Sequence, residues 1–230
     1  QKALSEQPTR ISPWRDKCKR LKENKVDFGF FLSFNKKLQN MSPDEFIDKI
    51  LSKLNIKYLM VGDDFKFGKE RSGDFDFLSD WGSNNQIKVD RIPTYSFEGR
   101  RVSSTWIREA IANGNFDLAA KLLDRRYTFS GKVVFGNKVG RTIGVPTANI
   151  WVPKSNLPIK GVYAVKASVK GETFNGIANM GVRPTVGGTS PVLEIHIFDF
   201  NEEIYGCRIE VEFYQKIRDE KKFENLDKLK

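Results

Sequence analysis

The apolar positions in the first half of the chain change period from segment to segment. Val26 to Leu32 is rich in β-forming residues, Tyr58 to Val61 is an apolar run typical of a short buried strand, and Ile87 to Ile92 repeats the strand pattern. A stripe at helical spacing lies between the first two runs and consists of Phe46, Ile47, Ile50, Leu51 and Leu54. This alternation predicts a parallel sheet with helices on its faces, where ligands gather at the carboxyl ends of the strands.

Two helices in this half have recognisable limits. Ser42-Pro43-Asp44-Glu45 has the form of a capping box with proline at the first helical position, so we expect a helix from there to about Leu54. Asn115 to Leu123 is predicted to be one more short helix, which closes the first domain.

After Asp124 the apolar positions alternate with a period of two, and turn residues separate the runs. The alternating segments are Tyr127 to Phe135, Gly161 to Val169, Thr173 to Asn179, Val192 to Phe200 and Arg208 to Tyr214. Short strands of this kind predict a small antiparallel barrel. A polar segment from Asp219 onward predicts a C-terminal helix.

The chain length of 230 residues fits two modest domains, which we place at residues 1–124 and 125–230. Lysine and arginine number 39 against 29 aspartates and glutamates. Such a balance is compatible with nucleic acid, membrane surfaces or anionic small molecules, and charge alone does not choose among them. Because the cations are dispersed, apart from runs such as Arg15 to Lys22, we expect most on solvated faces, with a cationic nucleotide pocket as a local exception.

Cysteine usage points to a reducing compartment. Cys18 and Cys207 lie far apart, without CxxC spacing or a histidine cluster, so neither a zinc site nor a disulfide framework is predicted. No apolar run approaches the length that spans a bilayer, and no signal peptide opens the chain. The expected location is the cytoplasm.

The stretch from Gly136 to Asn149 has the composition of an anion cradle. Its glycines let the backbone approach a ligand, and they are Gly136, Gly140 and Gly144. Its cations can neutralise phosphate, and they are Lys138 and Arg141. Pro146 fixes the chain just before Thr147 and Asn149, whose oxygens are hard ligands suited to Mg²⁺ beside phosphate. In an extended segment these two side chains face the same way. A glycine-rich turn without a ligand is the alternative interpretation.

This stretch also carries a family resemblance. The string G-x-x-x-G-R-x-x-G-x-P-T-A-N resembles the signature of riboflavin kinases, and the chain around it resembles bacterial bifunctional riboflavin kinase/FAD synthetases. The resemblance runs from about Lys25 to the C-terminus, with several motifs in the family's order. It implies a fold of class α/β plus β: a Rossmann-like nucleotidyltransferase domain with its N-terminal part missing, then a small antiparallel β-barrel riboflavin kinase domain with a C-terminal helix.

A loop with two phenylalanines, Gly62 to Gly68, follows the predicted strand at Tyr58 to Val61. Phe65 and Phe67 can stack on a planar ring while Asp64 supplies a polar contact. The alternative is that both rings turn inward as core. The resemblance implies that Asp64, Phe65 and Phe67 line the flavin and nucleotide site of the adenylyltransferase.

A hydroxyl-rich string precedes an amphipathic helix at Arg101 to Arg108. A helix N-terminus with Arg108 one turn in can bind phosphate, although plain capping explains Ser104 without a ligand. The string resembles the family's second nucleotide motif, which contacts ATP phosphates. The resemblance therefore implies binding roles for Ser103, Ser104, Thr105 and Arg108.

A carboxylate lies on one face of the strand predicted from Val192. One face carries Leu193, Ile195 and Ile197. The other face carries Glu194, His196 and Phe198. Glu194 is either an ordinary exposed strand residue or, if it points into a nucleotide cleft, the base that takes a proton from an attacking hydroxyl. The match of Leu193 to Phe200 with the kinase family's base-bearing strand implies the second role, and we interpret His196 as structural.

Two arginines complete the candidate site. Arg183 lies in a glycine- and proline-containing segment, Asn179 to Thr185, and Arg218 begins a charged one. The resemblance implies that both contact flavin or phosphate, and the alternative is that each is a surface charge.

The implied function is flavin cofactor synthesis. ATP with Mg²⁺ phosphorylates riboflavin to FMN, and the complete protein transfers AMP to FMN, giving FAD. The expected partners are riboflavin, FMN, FAD, ATP and ADP, with no nucleic acid or membrane, and self-association stays open. The family's G-x-F-D-x-x-H-x-G-H motif is absent, and His196 is the one histidine, so we expect a missing segment upstream.

Two other classes of function remain as alternatives. A basic α/β domain with a small barrel is compatible with nucleic-acid binding, although the aromatic residues cluster in short motifs instead of lining one strand face. The same pockets in a non-catalytic flavin carrier or regulator would bind flavin without turning over ATP.

Overall fold

A computed structural model describes residues 9–136, 146–152, 157–185 and 188–221, with the side chains of residues 183–185 and 188–190 left aside. The chain divides into two compact units. One contains residues 1–26 and 103–230, and we call it the barrel unit. The other contains residues 27–102, and we call it the α/β unit.

The helices, in chain order, are α1 (Trp14–Glu23), α2 (Lys36–Gln39), α3 (Pro43–Lys49), α4 (Phe75–Asn84), α5 (Ser104–Ala112) and α6 (Phe116–Leu123), with short 3₁₀ turns at Leu51–Lys53 and Lys69–Arg71. The strands are β1 (Tyr58–Gly62), β2 (Lys88–Ile92), β3 (Ser96–Phe97), β4 (Arg100–Arg101), β5 (Thr128–Val134), β6 (Ala148–Trp151), β7 (Gly161–Val169), β8 (Glu172–Thr185), β9 (Gly188–Ile197) and β10 (Arg208–Arg218).

Strands β5 to β10 form the closed antiparallel barrel that the period-two segments predict. The strand order is β10-β5-β6-β9-β8-β7, and β7 pairs with β10 to complete the circle. The period-two pattern did not predict strand β6, because this strand has only four residues, Ala148–Trp151, and they overlap the end of the glycine-rich stretch. It also ended β8 at Asn179, whereas the strand continues to Thr185.

Buried aromatic side chains join helix α6 to the barrel. The Phe116 ring of α6 stacks on the rings of Tyr127 and Phe213, with centroid distances of 6.2 Å and 5.8 Å. It meets the Tyr163 ring edge-on, with a centroid distance of 5.5 Å. All four rings are at most 1% exposed. Burial of this cluster therefore ties α6 to the barrel.

Helix α1 docks on the barrel through charged groups. The buried Asp16 carboxylate accepts hydrogen bonds from the Ser130 backbone N–H, at 2.9 Å, and from the Ser130 hydroxyl. Beside it, Arg20 donates to the Thr128 hydroxyl at 2.9 Å and Lys19 pairs with Glu210 at 2.6 Å. A buried carboxylate needs such partners, so the docking depends on Asp16.

The α/β unit contains the predicted parallel pairing. β1 and β2 are parallel, with Tyr58 opposite Lys88 and Gly62 opposite Ile92. The core cluster beneath them consists of Ile47, Val61, Phe67 and Leu78. Helix α4 approaches β2 closely at Gly82, where a methyl group would meet the Val89 side chain and the Ile87 carbonyl oxygen.

The predicted capping box is confirmed. The Ser42 hydroxyl accepts from the Glu45 N–H and the Glu45 carboxylate accepts from the Ser42 N–H, both at 3.1 Å, with Pro43 as the first helical residue. The helix itself is shorter than predicted, because α3 ends at Lys49 and a 3₁₀ turn continues to Lys53.

The prediction of a strand at Val26 to Leu32 was wrong. This segment has no regular structure, and Phe28 and Phe30 are 83% and 72% exposed. The segment pairs with no other strand among the described residues. A β-forming composition does not make a strand by itself, because the backbone groups of an unpaired segment form hydrogen bonds with water. The β1 strand is also less buried than predicted, since Val61 is its buried member whereas Tyr58 and Met60 are about half exposed.

The C-terminal helix predicted from Asp219 is not present at Asp219 to Lys221, and its remainder lies outside the described residues. Within the described ranges, none of the helices combines the length and apolarity that crossing a membrane requires.

We predict that Asp16→Ala lowers the free energy of unfolding of the barrel unit by about 2–3 kcal/mol, because the buried Ser130 N–H loses its charged acceptor. Urea denaturation measures the change. Glu172→Ala, at an exposed strand position, is the matched control and should change stability by less than about 0.5 kcal/mol. Equal effects of the two substitutions would contradict an anchoring role for Asp16.

Candidate active site

The predicted base lies in the middle of a polar row that crosses three barrel strands. Strand pairing places Asn149 of β6 opposite Glu194 of β9, and Glu194 opposite Asn179 of β8. Neighbouring strands lie about 4.8 Å apart, so the three side chains start from adjacent positions on one face. The inward neighbours Leu193 and Ile195 are completely buried, which fixes this row on the outer face. We call it the Asn149–Glu194–Asn179 row.

Asn179 was missed by the sequence analysis. Its side-chain oxygen is buried and has no hydrogen-bond partner, which is an unusual state for a buried acceptor. The atom lies next in the row to the proposed base, where a substrate hydroxyl would supply the missing donor. The heptapeptide Asn179 to Thr185 marked the segment, but only the strand register shows that Asn179 neighbours Glu194.

The start of the glycine-rich stretch reaches the same row. A Cβ atom on Gly136 would overlap the Asn149 side-chain amide, so the chain passes directly over it. This close approach helps to explain why Asn149 is only 6% exposed although it lies on the outer face. The other residues predicted to form the anion cradle lie outside the described ranges: Lys138, Gly140, Arg141 and Gly144.

Thr147 immediately precedes β6, and continued strand alternation places it on the same face as Asn149. The neighbouring Pro146 carbonyl accepts a hydrogen bond from His196 Nδ1–H at 2.8 Å. The His196 ring also meets Phe198 edge-on, with centroids 5.4 Å apart. These contacts fit the structural role predicted for His196, which holds the Pro146–Thr147 segment against β9.

The structure describes the side chain of Arg218 but not that of Arg183, the other arginine predicted to contact flavin. Arg218 is exposed, and its backbone pairs with Val162, which in turn pairs with Asn179. It therefore lies on the same circuit of paired strands as the row, with the buried Val162 between it and Asn179 and after two register shifts in β10. Arg183 lies in β8 opposite Ser190, and its side chain is outside the described set.

The donor set of the row fits a hard cation that arrives with a nucleotide. The side chains of Asn149, Glu194 and the neighbouring Thr147 carry oxygens of the kind that such a cation binds. Among the described residues no group of three or more histidine, cysteine, aspartate or glutamate side chains could hold a metal. A single carboxylate with amide and hydroxyl oxygens suits Mg²⁺ bound mainly through substrate phosphates.

The candidate contact residues of the α/β unit lie at the end of β1. Arg101 pairs with Asp64 at 2.8 Å, and this contact raises the pKa of the guanidinium. The adjacent Asp63 accepts from the Thr94 hydroxyl, which holds the pKa of that carboxyl below its ordinary value, with help from Arg101. The predicted contact residue Asp64 is thus held at the carboxyl end of the strand.

The two phenylalanines of this loop have different environments. Phe67 is buried in the core, which is the alternative that the sequence left open, and it packs against Phe46 and Phe77. Phe65 is half-buried and stacks on Phe67, with centroids 5.7 Å apart. Phe65 is therefore the better placed of the two to meet a flat ligand, with Phe67 supporting it from below.

The hydroxyl-rich string lies in the barrel unit, at the start of α5. Ser103, not Ser104, is the cap, because its hydroxyl accepts from the Trp106 N–H at 3.2 Å. Ser104 and Thr105 are exposed in the first helical turn. Arg108 is half-buried and its Nε–H donates to the Thr9 carbonyl at 2.6 Å. These three side chains remain available to an anion at a helix N-terminus.

A closed barrel that presents one carboxylate between two amides, at a place reached by Gly136, is compatible with a transferase that acts on a nucleotide. Comparisons with known proteins agree. The family described as riboflavin kinase matches residues 123–230, and the family described as FAD synthetase matches residues 1–106.

Relatives are similar over nearly the whole chain. The bifunctional riboflavin kinase/FMN adenylyltransferase of Haemophilus influenzae is 46% identical over 97% of this chain and 73% of its own length. Its namesake in Escherichia coli is 40% identical over 99% of this chain and 74% of its own length. A crystal structure from Streptococcus pneumoniae, titled as a macrolide-efflux protein, shares the fold with a TM-score of 0.83, 31% identity and coverage of 99% and 75% of the two chains.

The chain belongs to the bifunctional riboflavin kinase/FMN adenylyltransferase family. The fold class, the two enzyme classes and the role in flavin cofactor synthesis predicted from the sequence are thereby confirmed. ATP follows as a substrate of both activities.

We predict that Asn179→Ala lowers kcat/KM for riboflavin phosphorylation about tenfold or more, without lowering the stability of the ligand-free protein. An unpartnered buried oxygen costs about 1–3 kcal/mol, so its removal should leave stability unchanged or raised. Steady-state kinetics with each substrate varied, together with urea denaturation, measure both effects.

Asn175→Ala is the matched control, because Asn175 lies four residues away on the same strand and is exposed. It should leave the kinetics unchanged. A loss of stability in Asn179→Ala with normal kinetics would show that Asn179 serves packing instead of substrate binding.

Proposed function

We propose that the barrel carries the kinase reaction, with Glu194 as the base that accepts the proton of the riboflavin 5′-hydroxyl while that oxygen attacks the γ-phosphate of ATP. The observation that supports this proposal best is the position of Glu194 between Asn149 and Asn179 on a face reached by Gly136. The proton passes to the carboxylate, the new bond joins the ribityl oxygen to phosphorus, and ADP leaves.

The remaining residues of the barrel position the two substrates. Thr147 and Asn149 would hold Mg²⁺, which would supply positive charge to offset that of the phosphates. The phosphates are cradled by Gly136, Lys138, Gly140, Arg141 and Gly144. Arg183 and Arg218 contact the flavin, and the place of Arg218 on the same circuit as the row supports its role. Catalysis on this scheme is positioning and charge neutralisation, without a covalent intermediate.

We assign the adenylyltransferase contacts to the other candidate residues. Asp64 and Phe65, supported by Phe67, take the flavin or nucleotide ring, and Ser103, Ser104, Thr105 and Arg108 take the phosphates of ATP. In the complete protein this half transfers AMP to FMN and releases pyrophosphate. We keep the module border at residues 124 and 125, near the start of the riboflavin kinase match at 123–230, while the compact barrel unit also includes residues 1–26 and 103–124.

We place the enzyme in the cytoplasm, where its two cysteines stay reduced; both are free in the structure. The proposed ligands are flavins and adenine nucleotides, without nucleic acid or a membrane as partner. The positive balance of the chain is then explained by phosphate-bearing substrates and by solvated faces.

Incubation of the purified protein with riboflavin, ATP and Mg²⁺, followed by chromatographic separation of FMN from FAD, tests the function directly. FMN formation identifies the kinase, FAD identifies both activities, and bound flavin without either product identifies a carrier.

We predict that Glu194→Gln lowers kcat of FMN formation by a factor of about 10²–10⁴, because the amide cannot accept the proton, whereas both substrates still bind. Glu172→Gln, an exposed glutamate of β8, is the matched control and should leave kcat unchanged. A normal rate in Glu194→Gln would refute the assignment of the base without touching the assignment of the enzyme.

A further inference from the structure

The pairing of β6 with β9 begins just after a predicted metal ligand. Ala148 is the first residue of β6 and pairs with Ile195. The residue before it is Thr147, which would stand opposite His196 if the pairing continued. It is preceded by Pro146, which has no N–H group to donate to such a ladder. A group other than the main chain is therefore needed to hold this end of the strand.

The His196 side chain provides that contact. Its Nδ1 atom lies 2.8 Å from the Pro146 carbonyl oxygen, and since a carbonyl only accepts hydrogen bonds, Nδ1 carries the donated hydrogen. The bond connects β9 to the chain two residues before the first paired residue of β6, Ala148. Thr147 is thus held from both sides, by the strand pairing at Ala148 and by the imidazole at Pro146.

The imidazole is itself confined. Phe198 meets it edge-on along the strand, with ring centroids 5.4 Å apart, and Ile177 lies opposite His196 on β8. A Cβ atom on Gly176 would overlap the His196 carbonyl oxygen, so β8 approaches the His196 backbone as closely as a glycine allows. A donor whose ring and backbone are both confined loses little freedom when it forms its bond.

The contact serves the proposed site more than the stability of the barrel. Pro146 is exposed, so its carbonyl oxygen can bond to water when the imidazole is removed. The half-buried Thr147, in contrast, gains a fixed position near Asn149, which pairs with Glu194. Ligands that are oriented before a metal arrives bind it more tightly, because less ordering remains to be done.

We propose that His196 is a positioning residue of the kinase reaction. Its hydrogen bond to Pro146 fixes Thr147 where the hydroxyl would meet Mg²⁺ carried by a nucleotide, and so sets the affinity for the metal–nucleotide. The inference rests on the proposed function, which assigns Thr147 and Asn149 to the metal. It goes beyond packing, because the effect is assigned to the donor atom Nδ1 and not to the ring.

Two substitutions of nearly equal size separate the donor from the bulk of the ring. The amide nitrogen of asparagine is bonded to Cγ, as Nδ1 is in histidine, so His196→Asn keeps a donor near the same place. His196→Leu puts methyl groups there instead. Asn175→Leu, at an exposed position of β8, is the matched control for an added apolar side chain on the outer face.

Titration calorimetry with ADP, with and without Mg²⁺, measures the effect without turnover. We expect His196→Leu to weaken Mg·ADP binding about fivefold or more, the loss that one neutral hydrogen bond represents, while His196→Asn and Asn175→Leu stay within about twofold. Binding of ADP without Mg²⁺ should change by less than about twofold in every variant, because the Thr147 hydroxyl is assigned to the metal.

Steady-state kinetics and urea denaturation complete the test. In His196→Leu the KM for ATP should rise by about the same factor while kcat stays within about twofold, because the lost contact acts on bound substrate and transition state alike. The urea midpoint should not change, since water can replace the imidazole at the exposed Pro146 carbonyl.

Equal losses in His196→Leu and His196→Asn would overturn the proposal, because the ring and not the donor would then be responsible. A loss that is the same with and without Mg²⁺, or no binding of Mg·ADP by the unaltered chain, would overturn it as well. A chain that binds Mg·ADP through His196 but forms no FMN would refute the proposed reaction and keep this role. A chain that forms FMN equally well with His196→Leu would do the reverse.

Discussion

The closure of the barrel is the constraint on which the proposed kinase site depends. Since every strand is paired on both sides, each side chain is committed either to the apolar interior or to the outer face. Leu193 and Ile195 fill the interior, and this forces Glu194 outward between Asn149 and Asn179. A slip of one residue in β9 would bury the carboxylate and expose Leu193 and Ile195, so packing selects the register that the proposed catalysis also needs.

The sequence was a good guide wherever local chemistry decides the structure. The Ser42–Glu45 capping box and the alternation of β9 both depend on neighbouring residues, and both were predicted. The segment at Val26 to Leu32 failed for the opposite reason. Its composition favours a strand, but a strand also needs a partner, and no local signal reports whether one is available.

The site could be predicted only in part for a similar reason. Motif matches could propose Glu194, Thr147 and Asn149, because each lies in a contiguous string. Strand pairing makes Asn179 a neighbour of Glu194. The docking of α1 brings Lys17 and Arg20 to a cavity that Arg125 also lines. Such meetings between distant segments carry no signature in a single sequence, so they had to be read from the fold.

The modest core of the α/β unit has a consequence for how the molecule opens. A small buried cluster, the partly buried side chains packed against it and two-stranded sheets hold that unit together, whereas a continuous ring of six paired strands surrounds the barrel interior. Backbone amides of β1 and β2 should therefore exchange with solvent through partial opening events long before those of β7 and β10. The phosphorylating half would keep its shape under conditions that have already loosened its neighbour.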